Sequence, residues 1–279
     1  MLRNSWLKRN WNCSLQKWFK TNIKSSKLVL RRAFFLSYLQ MEKIDILAMV
    51  AHPDDVELST AGTLIAHIKQ GYTAGIVDLT KGEMGTRGTP EQRLEEADAA
   101  AKIMGLKVRE NLGLEDAFFQ NDKTTQLQVI QAIRKYQPEI IIANAEYDRH
   151  PDHGRAAKLV EESAFKAGLR MIETYENGEL QAPWRPKKLY HMIQSVSIEP
   201  DFIVDISEVH DTKLEAIRAF KSQFFDPNSA EPETYISKPE FMNMIEARAI
   251  EYGHRIGAQY GEGFTQNQFL GVKDLFHFI

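Results

Sequence analysis

The chain has 279 residues, 43% of them hydrophobic and 26% charged, with a formal net charge of −3. That is enough apolar chain for one sizeable core, and no stretch reaches the roughly 18 to 20 consecutive apolar residues that span a bilayer. The single cysteine, Cys13, excludes a disulfide framework and a thiolate metal site, and fits a reducing cytoplasm.

The charge is uneven. Residues 1–40 carry nine Lys or Arg and no acid, which leaves 26 bases against 38 acids in the rest, a balance of −12. An acidic body argues against nucleic acid as a partner. We read residues 1–40 as a basic N-terminal extension, disordered or upstream of a native start at Met41, and residues 41–279 as a single domain.

In chain order, Ile44 to Asp55 (I-D-I-L-A-M-V-A-H-P-D-D) reads as a buried parallel strand. It stops at His52-Pro53, because proline removes a donor and restricts the residue before it. Val56 to Gln70 reads as a helix, with Leu58, Ala61, Leu64, Ile65 and Ile68 near a 3.6 period and Asp55 in the N-cap place. A strand from Thr73 to Leu79 follows, then a glycine-rich loop from Lys81 to Thr89, expected to be mobile and beside the site. Thr89-Pro90 opens a helix to Met104. Next come a weak strand from Lys107 to Leu112, a helix from Gln126 to Tyr136 stopped by Pro138, a strand from Ile140 to Ala143, and a helix from Asp152 to about Lys166. The alternation implies right-handed crossovers and an α/β class: a Rossmann-like, mostly parallel sheet flanked by helices. No G-x-G-x-x-G follows the first strand, so a dinucleotide site is not supported. After Pro183 to Pro186, strands are expected from Lys188 to Ile193 and Phe202 to Asp205. Helices are expected from Ser207 to about Phe225 and Pro239 to about Tyr260. The intervening loop 226–238 has the turn chemistry of an ordered lid or an oligomer contact. These C-terminal helices and loops are expected to complete a pocket.

Two clusters sit at strand ends: His52-Pro53-Asp54-Asp55, and Asp148-Arg149-His150-Pro151-Asp152-His153. Helix capping explains any one of the aspartates. It explains neither the histidine before each proline nor two adjacent carboxylates. Catalytic zinc commonly takes three nitrogen or oxygen ligands and keeps one position for water. His52, Asp55 and His153 supply such a set, Asp54 is then placed as general base, His150 faces the substrate, and Asp152 orients a histidine from behind. Fe2+ suits the same donors as Zn2+.

A-H-P-D-D at the end of the first strand, paired with R-H-P-D-H after a later one, resembles the zinc-dependent sugar N-deacetylases of the PIG-L, or LmbE-like, family. The resemblance covers essentially Met41 to Ile279 and makes residues 41–279 an LmbE-like deacetylase domain. It implies His52, Asp55 and His153 as zinc ligands, Asp54 as base, and His150 as the residue that stabilises or protonates the tetrahedral intermediate. G-E-M-G-T-R-G-T at 82–89, E-x-R-x-x-E at 91–96 and E-A-R-A-I-E-Y-G-H-R-I-G-A-Q-Y-G-E-G-F at 246–264 look most like the branch that deacetylates N-acetylglucosaminyl-malate in bacillithiol synthesis. Some relatives place a tyrosine two residues before the first histidine of the second motif. Asp148 stands there instead, so the resemblance shifts oxyanion assistance to His150 and the metal. Homo-oligomers are also implied.

Arg93 shares a helix face with Ala97, Ala100 and Met104. It reads either as a partner of Glu95 or Glu96 or, by the resemblance, as a substrate anchor in the pocket, and Arg149 has similar standing. Arg87 and Arg185 read as solvated. His67, His191, His210, His254 and His277 read as structural or surface residues, while Tyr190, Glu262 and Phe264 are candidates to border the pocket. The expected reaction is release of acetate from a 2-acetamido sugar. The alternatives are another GlcNAc conjugate such as diacetylchitobiose, or a non-catalytic sugar-binding module. A phosphoester hydrolase is disfavoured by the single carboxylate ligand.

Overall fold

The computed structural model describes residues 43–225, 227, 229–272 and 276. The basic extension 1–40 and His277 lie outside the described residues. From Lys43 on, the chain clusters as one compact unit.

β1 (Ile46–Val50) is buried at every residue. Alternation along the strand divides its side chains: Ile46, Ala48 and Val50 enter one apolar layer, and Leu47 and Met49 the other. The chain continues through α1 (Asp55–Ser59), α2 (Ala61–Lys69), β2 (Ala74–Thr80), α3 (Pro90–Met104), β3 (Val108–Leu114), α4 (Lys123–Tyr136), β4 (Ile140–Ala143) and α5 (Pro151–Ala167). A two-stranded hairpin, β5 (Tyr175–Glu176) and β6 (Glu179–Leu180), precedes β7 (Lys188–Met192), β8 (Phe202–Asp205), α6 (His210–Arg218), α7 (Pro239–Arg255) and β9 (Gly261–Thr265).

The main sheet has the order β3-β2-β1-β4-β7-β9-β8. Its first five strands are parallel, and β9 runs antiparallel to both neighbours. The expected Rossmann-like, mostly parallel sheet is therefore present. Val56 and Leu64 of α1 and α2, Ala97 of α3, Ile217 of α6 and Ile245 of α7 pack on one face, while Ile133 of α4 and Leu159 of α5 pack on the other. From β1 the chain builds outward to β2 and β3, then returns to place β4 on the opposite side of β1. Connections leaving β1 and β4 diverge there, and the crevice opens at the carboxyl ends of these two strands.

Four expectations differ from the structure. The helix foreseen over Val56 to Gln70 is two helices broken at Thr60, and Asp55 is its first residue rather than its cap, a place taken by Asp54. The helix foreseen from Ser207 keeps regular form only over His210–Arg218; beyond it, Glu96 accepts hydrogen bonds from the Ser222 amide and hydroxyl, which holds that segment in turns. The second C-terminal helix stops at Arg255. The stretch from Gly261, not foreseen as a strand, is β9, disguised by glycines that sequence rules count against strands. Among the described residues, no helix is long and apolar enough to cross a membrane.

Candidate metal and catalytic site

Both sequence clusters reach the crevice. His52, Asp54 and Asp55 follow β1, and Asp148, His150 and His153 follow β4. Asp55 lies between two imidazoles: its Oδ1 is 3.0 Å from His153 Nε2, and its Oδ2 is 3.6 Å from His52 Nδ1. The far nitrogen of each ring is held by a carboxylate. His153 Nδ1 is 2.6 Å from Asp148 Oδ2, and His52 Nε2 is 3.1 Å from Asp116 Oδ1 and 3.4 Å from Asp152 Oδ2. Histidines that ligate a metal almost always donate their other N–H in this way, which fixes ring orientation. Asn144 Nδ2 and Gln194 Nε2 donate to the two oxygens of Asp55 at 3.0 and 3.1 Å.

Among the described residues, two groups bring donor atoms within 4.8 Å of one another, His52 with His150 and His153, and His52 with Asp116 and Asp152, and Asp55 adjoins the first of them between His52 and His153. Asp55 is buried against both the His52 and His153 rings and places a carboxylate between them. His150 Nδ1 already accepts from the Asp152 amide at 3.3 Å, as the cap of α5. Electrostatics show the same complementarity. Burial opposes charge on His52 and His153, yet their carboxylate partners win: His52 is held well above its ordinary pKa, and His153 is raised to about 9 by Asp55 and Asp148. Burial likewise works against Asp55, but the two imidazoles hold it well below the carboxylate range.

Asp54 lies outside this set. It takes a left-handed backbone, φ 107°, and its Oδ2 accepts from Arg93 Nη2 at 2.7 Å. Burial raises its pKa, with Arg93 opposing. Arg93 thus pairs with neither Glu95 nor Glu96. Its Nε and Nη1 reach the carbonyls of Pro53 and Gly82, and it lines the cavity with its donors directed to protein.

The cavity measures about 390 Å³, in the range of a small-ligand site. Thr234, Tyr235 and Ile236 line it, and exposed Arg149 stacks 4.5 Å over the Tyr235 ring. Two other expectations do not hold. Arg87 is buried rather than solvated, donating to Ser222 O, Pro232 O and Ser229 Oγ. Tyr190, Glu262 and Phe264 do not border this cavity: Tyr190 and Phe264 pack around Phe202, and Glu262 serves α2 and Lys213. Arg185 stacks on Phe165, His191 and His210 are buried, and His254 is exposed.

Sequence reasoning missed Asp116, Asn144 and Gln194, and gave Asp148 no role. All four lie just beyond the carboxyl ends of β3, β4 or β7. A polar residue just beyond β3 or β4, strands already assigned parallel, was the signal that could have found Asp116, Asn144 and Asp148; β7 carried no such assignment, so nothing pointed to Gln194.

Residues 47–164 match the PIG-L family model, described as GlcNAc-PI de-N-acetylase. The chain is 30% identical over 250 residues to diacetylchitobiose deacetylase of Thermococcus kodakarensis, covering 84% of this chain and 88% of that one. It is also 30% identical over 200 residues to a Bacillus cereus protein named probable N-acetyl-alpha-D-glucosaminyl L-malate deacetylase 2, covering 64% and 83% of the two chains. The crystal structure of the conserved protein TT1542 from Thermus thermophilus superposes with a TM-score of 0.72 at 34% identity, covering 82% of this chain and 98% of that one. With its motifs converging at the carboxyl edge of the sheet and its 30% identity to the Thermococcus protein over 84% of its length, the chain belongs to the PIG-L family of N-deacetylases.

Proposed function

We propose that this protein hydrolyses the acetamide of N-acetylglucosaminyl-malate to glucosaminyl-malate and acetate, a step of bacillithiol synthesis. The observation that carries the reading is the geometry of two neighbouring carboxylates. Asp55 lies between the imidazoles of His52 and His153, whereas Asp54 stands at the cavity wall, held by Arg93. One fold assigns acid–base and ligand tasks to two carboxyls by setting their environments apart.

His52, Asp55 and His153 would hold the ion, zinc in our reading. Bound there, a zinc ion supplies Lewis acidity toward a carbonyl oxygen and water. Asp54 takes a proton from the attacking water, and Arg93 fixes its carboxylate in place. His150, whose Nδ1 accepts from the Asp152 amide, carries its proton on Nε2. From there it donates a hydrogen bond to the acetyl oxygen as that atom gains charge, and the proton that Asp54 took from water passes to the nitrogen as it leaves. Arg149 at the cavity mouth, and Arg93 to the extent that Asp54 leaves it free, are the substrate anchors of this proposal. The reading extends to a cytoplasmic homo-oligomer with one catalytic domain over 41–279 and no nucleic-acid or membrane partner.

Asp54→Asn is expected to lower acetate release by about 10² to 10⁴-fold while the purified variant still binds one zinc per chain. Full turnover in that variant would remove Asp54 as the base. Rates on N-acetylglucosaminyl-malate, free GlcNAc and diacetylchitobiose decide the conjugate, the last being the choice that the Thermococcus relative's name suggests.

A further inference from the structure

Arg248 on α7 stands in the cavity wall, its Nη2 donating to Leu58 O at 3.2 Å and its Nη1 to Gln194 O. Among the described residues, no carboxylate lies within ion-pairing distance of it. Two other arginines buried nearby are matched by carboxylates. Arg93 pairs with Asp54, and Arg109 with Glu57 and Asp78. Arg134, likewise without a carboxylate and 1% exposed, saturates itself on Ala167 O, Ile172 O, Thr174 Oγ1 and Leu169 O.

A guanidinium carries five N–H donors, and a desolvated cation without a counter-charge is costly. Arg248 places two contacts on protein and turns toward a cavity. Burial depresses its pKa, and no acid nearby is free to offset the cost. Glu262, whose charge it senses, is taken by Lys213 Nζ at 2.7 Å and by the amides of Gly62 and Thr63. The cavity's own carboxylates are also committed: Asp54 to Arg93, Asp55 to the two histidines, and Asp116 to His52. Among the described residues, Arg149 and Arg248 thus stand at the cavity without a carboxylate in ion-pairing distance.

We infer that Arg248 recognises a carboxylate on the aglycone and makes the site select an anionic acetamido-sugar conjugate over a neutral one of the same size. The inference rests on the deacetylase reading for its reaction but not for its binding step. Gln194 links the two places, since its carbonyl accepts from Arg248 while its amide donates to Asp55. The carboxylate is thus held one side chain away from the reacting centre.

The test compares N-acetylglucosaminyl-malate with its dimethyl ester as substrates, and glucosaminyl-malate with its dimethyl ester as ligands in calorimetry. Wild type, R248Q and R248K are compared. Wild type is expected to prefer the diacid by at least about tenfold in kcat/KM and in Kd, the size of one charge-assisted hydrogen bond. R248Q should reduce that ratio about tenfold, mostly through KM, and R248K at least about threefold, because an ammonium lacks the planar fork. A wild type that treats diacid and diester alike overturns the inference. So does an R248Q that weakens both equally, the mark of a peg tying α7 to Leu58 and Gln194. If R248Q does not fold, an unchanged ratio in R248K overturns it. If neither conjugate loses acetate while the binding preference holds and collapses in R248Q, the hydrolytic reading fails and the role of Arg248 stands.

Discussion

At Asp54 the backbone turns to φ 107° and ψ −22°, a left-handed conformation that L residues avoid. The turn sends adjacent carboxylates to different tasks, Asp54 to Arg93 and Asp55 to the imidazoles. Holding a side chain there costs about 1 to 2 kcal/mol, and glycine escapes that cost. Asp54→Gly is therefore expected to be more stable than Asp54→Ala by about 1 kcal/mol, although both lose the carboxylate proposed as base and both should release almost no acetate. Urea unfolding of the two variants checks the order, and the reverse order would mean that the turn stores no strain.

Among the elements, α2 shows how distant chain can set a boundary. Thr60 offers no side-chain cap, and the buried first-turn amides of Gly62 and Thr63 are met by Glu262 of β9, at 3.0 and 2.7 Å. Lys213 of α6 balances the buried charge. A carboxylate at a helix start satisfies orphan N–H groups and the helix dipole together, and this explains the break that apolar periodicity concealed. The junction of α7 and β9 is tighter still. A Cβ on Gly253 would stand 2.5 Å from the Tyr260 amide nitrogen and 2.6 Å from the Gln259 carbonyl carbon, both backbone. Gly253→Ala should destabilise the protein by about 2 kcal/mol, read as a lower urea midpoint at unchanged slope. Wild-type stability in this variant would show that β9 can shift at no cost.

For the whole molecule, the proposed ligation by His52 and His153 links ion binding to folding. In the metal-free protein the raised pKa values stabilise the fold fully below the unfolded value, about 6.5, and this contribution fades as pH rises through about 9 for His153. A metal ligand must be neutral, so the cation displaces those protons and binds more tightly as pH rises over the same interval. At zinc a thousandfold above its Kd, ligation should add about 4 kcal/mol, a rise in Tm of roughly 8 to 16 °C for a domain of this size. The rise should be smaller at pH 6 than at pH 8.5. Melting curves of chelated and zinc-loaded protein at both pH values test this, and a gain that is independent of pH would place the ion on groups other than His52 and His153.

Sequence alone determined the parallel core and the meeting of the two histidine clusters. Aliphatic runs such as Ile140 to Ala143 and proline stops such as His52-Pro53 are local signals, and alternating strands and helices permit few connections. Only tertiary structure decided which groups stand behind the ligands and around the cavity. Asp116, Asp148, Asn144 and Gln194 are ordinary polar residues until strand ends bring them beside His52, Asp55 or His153. Arg248 reads as one more charge on a helix until the acids near it are found committed elsewhere. Burial and partner choice are properties of residues far apart in the chain, and hydrophobic period and turn chemistry carry no record of them.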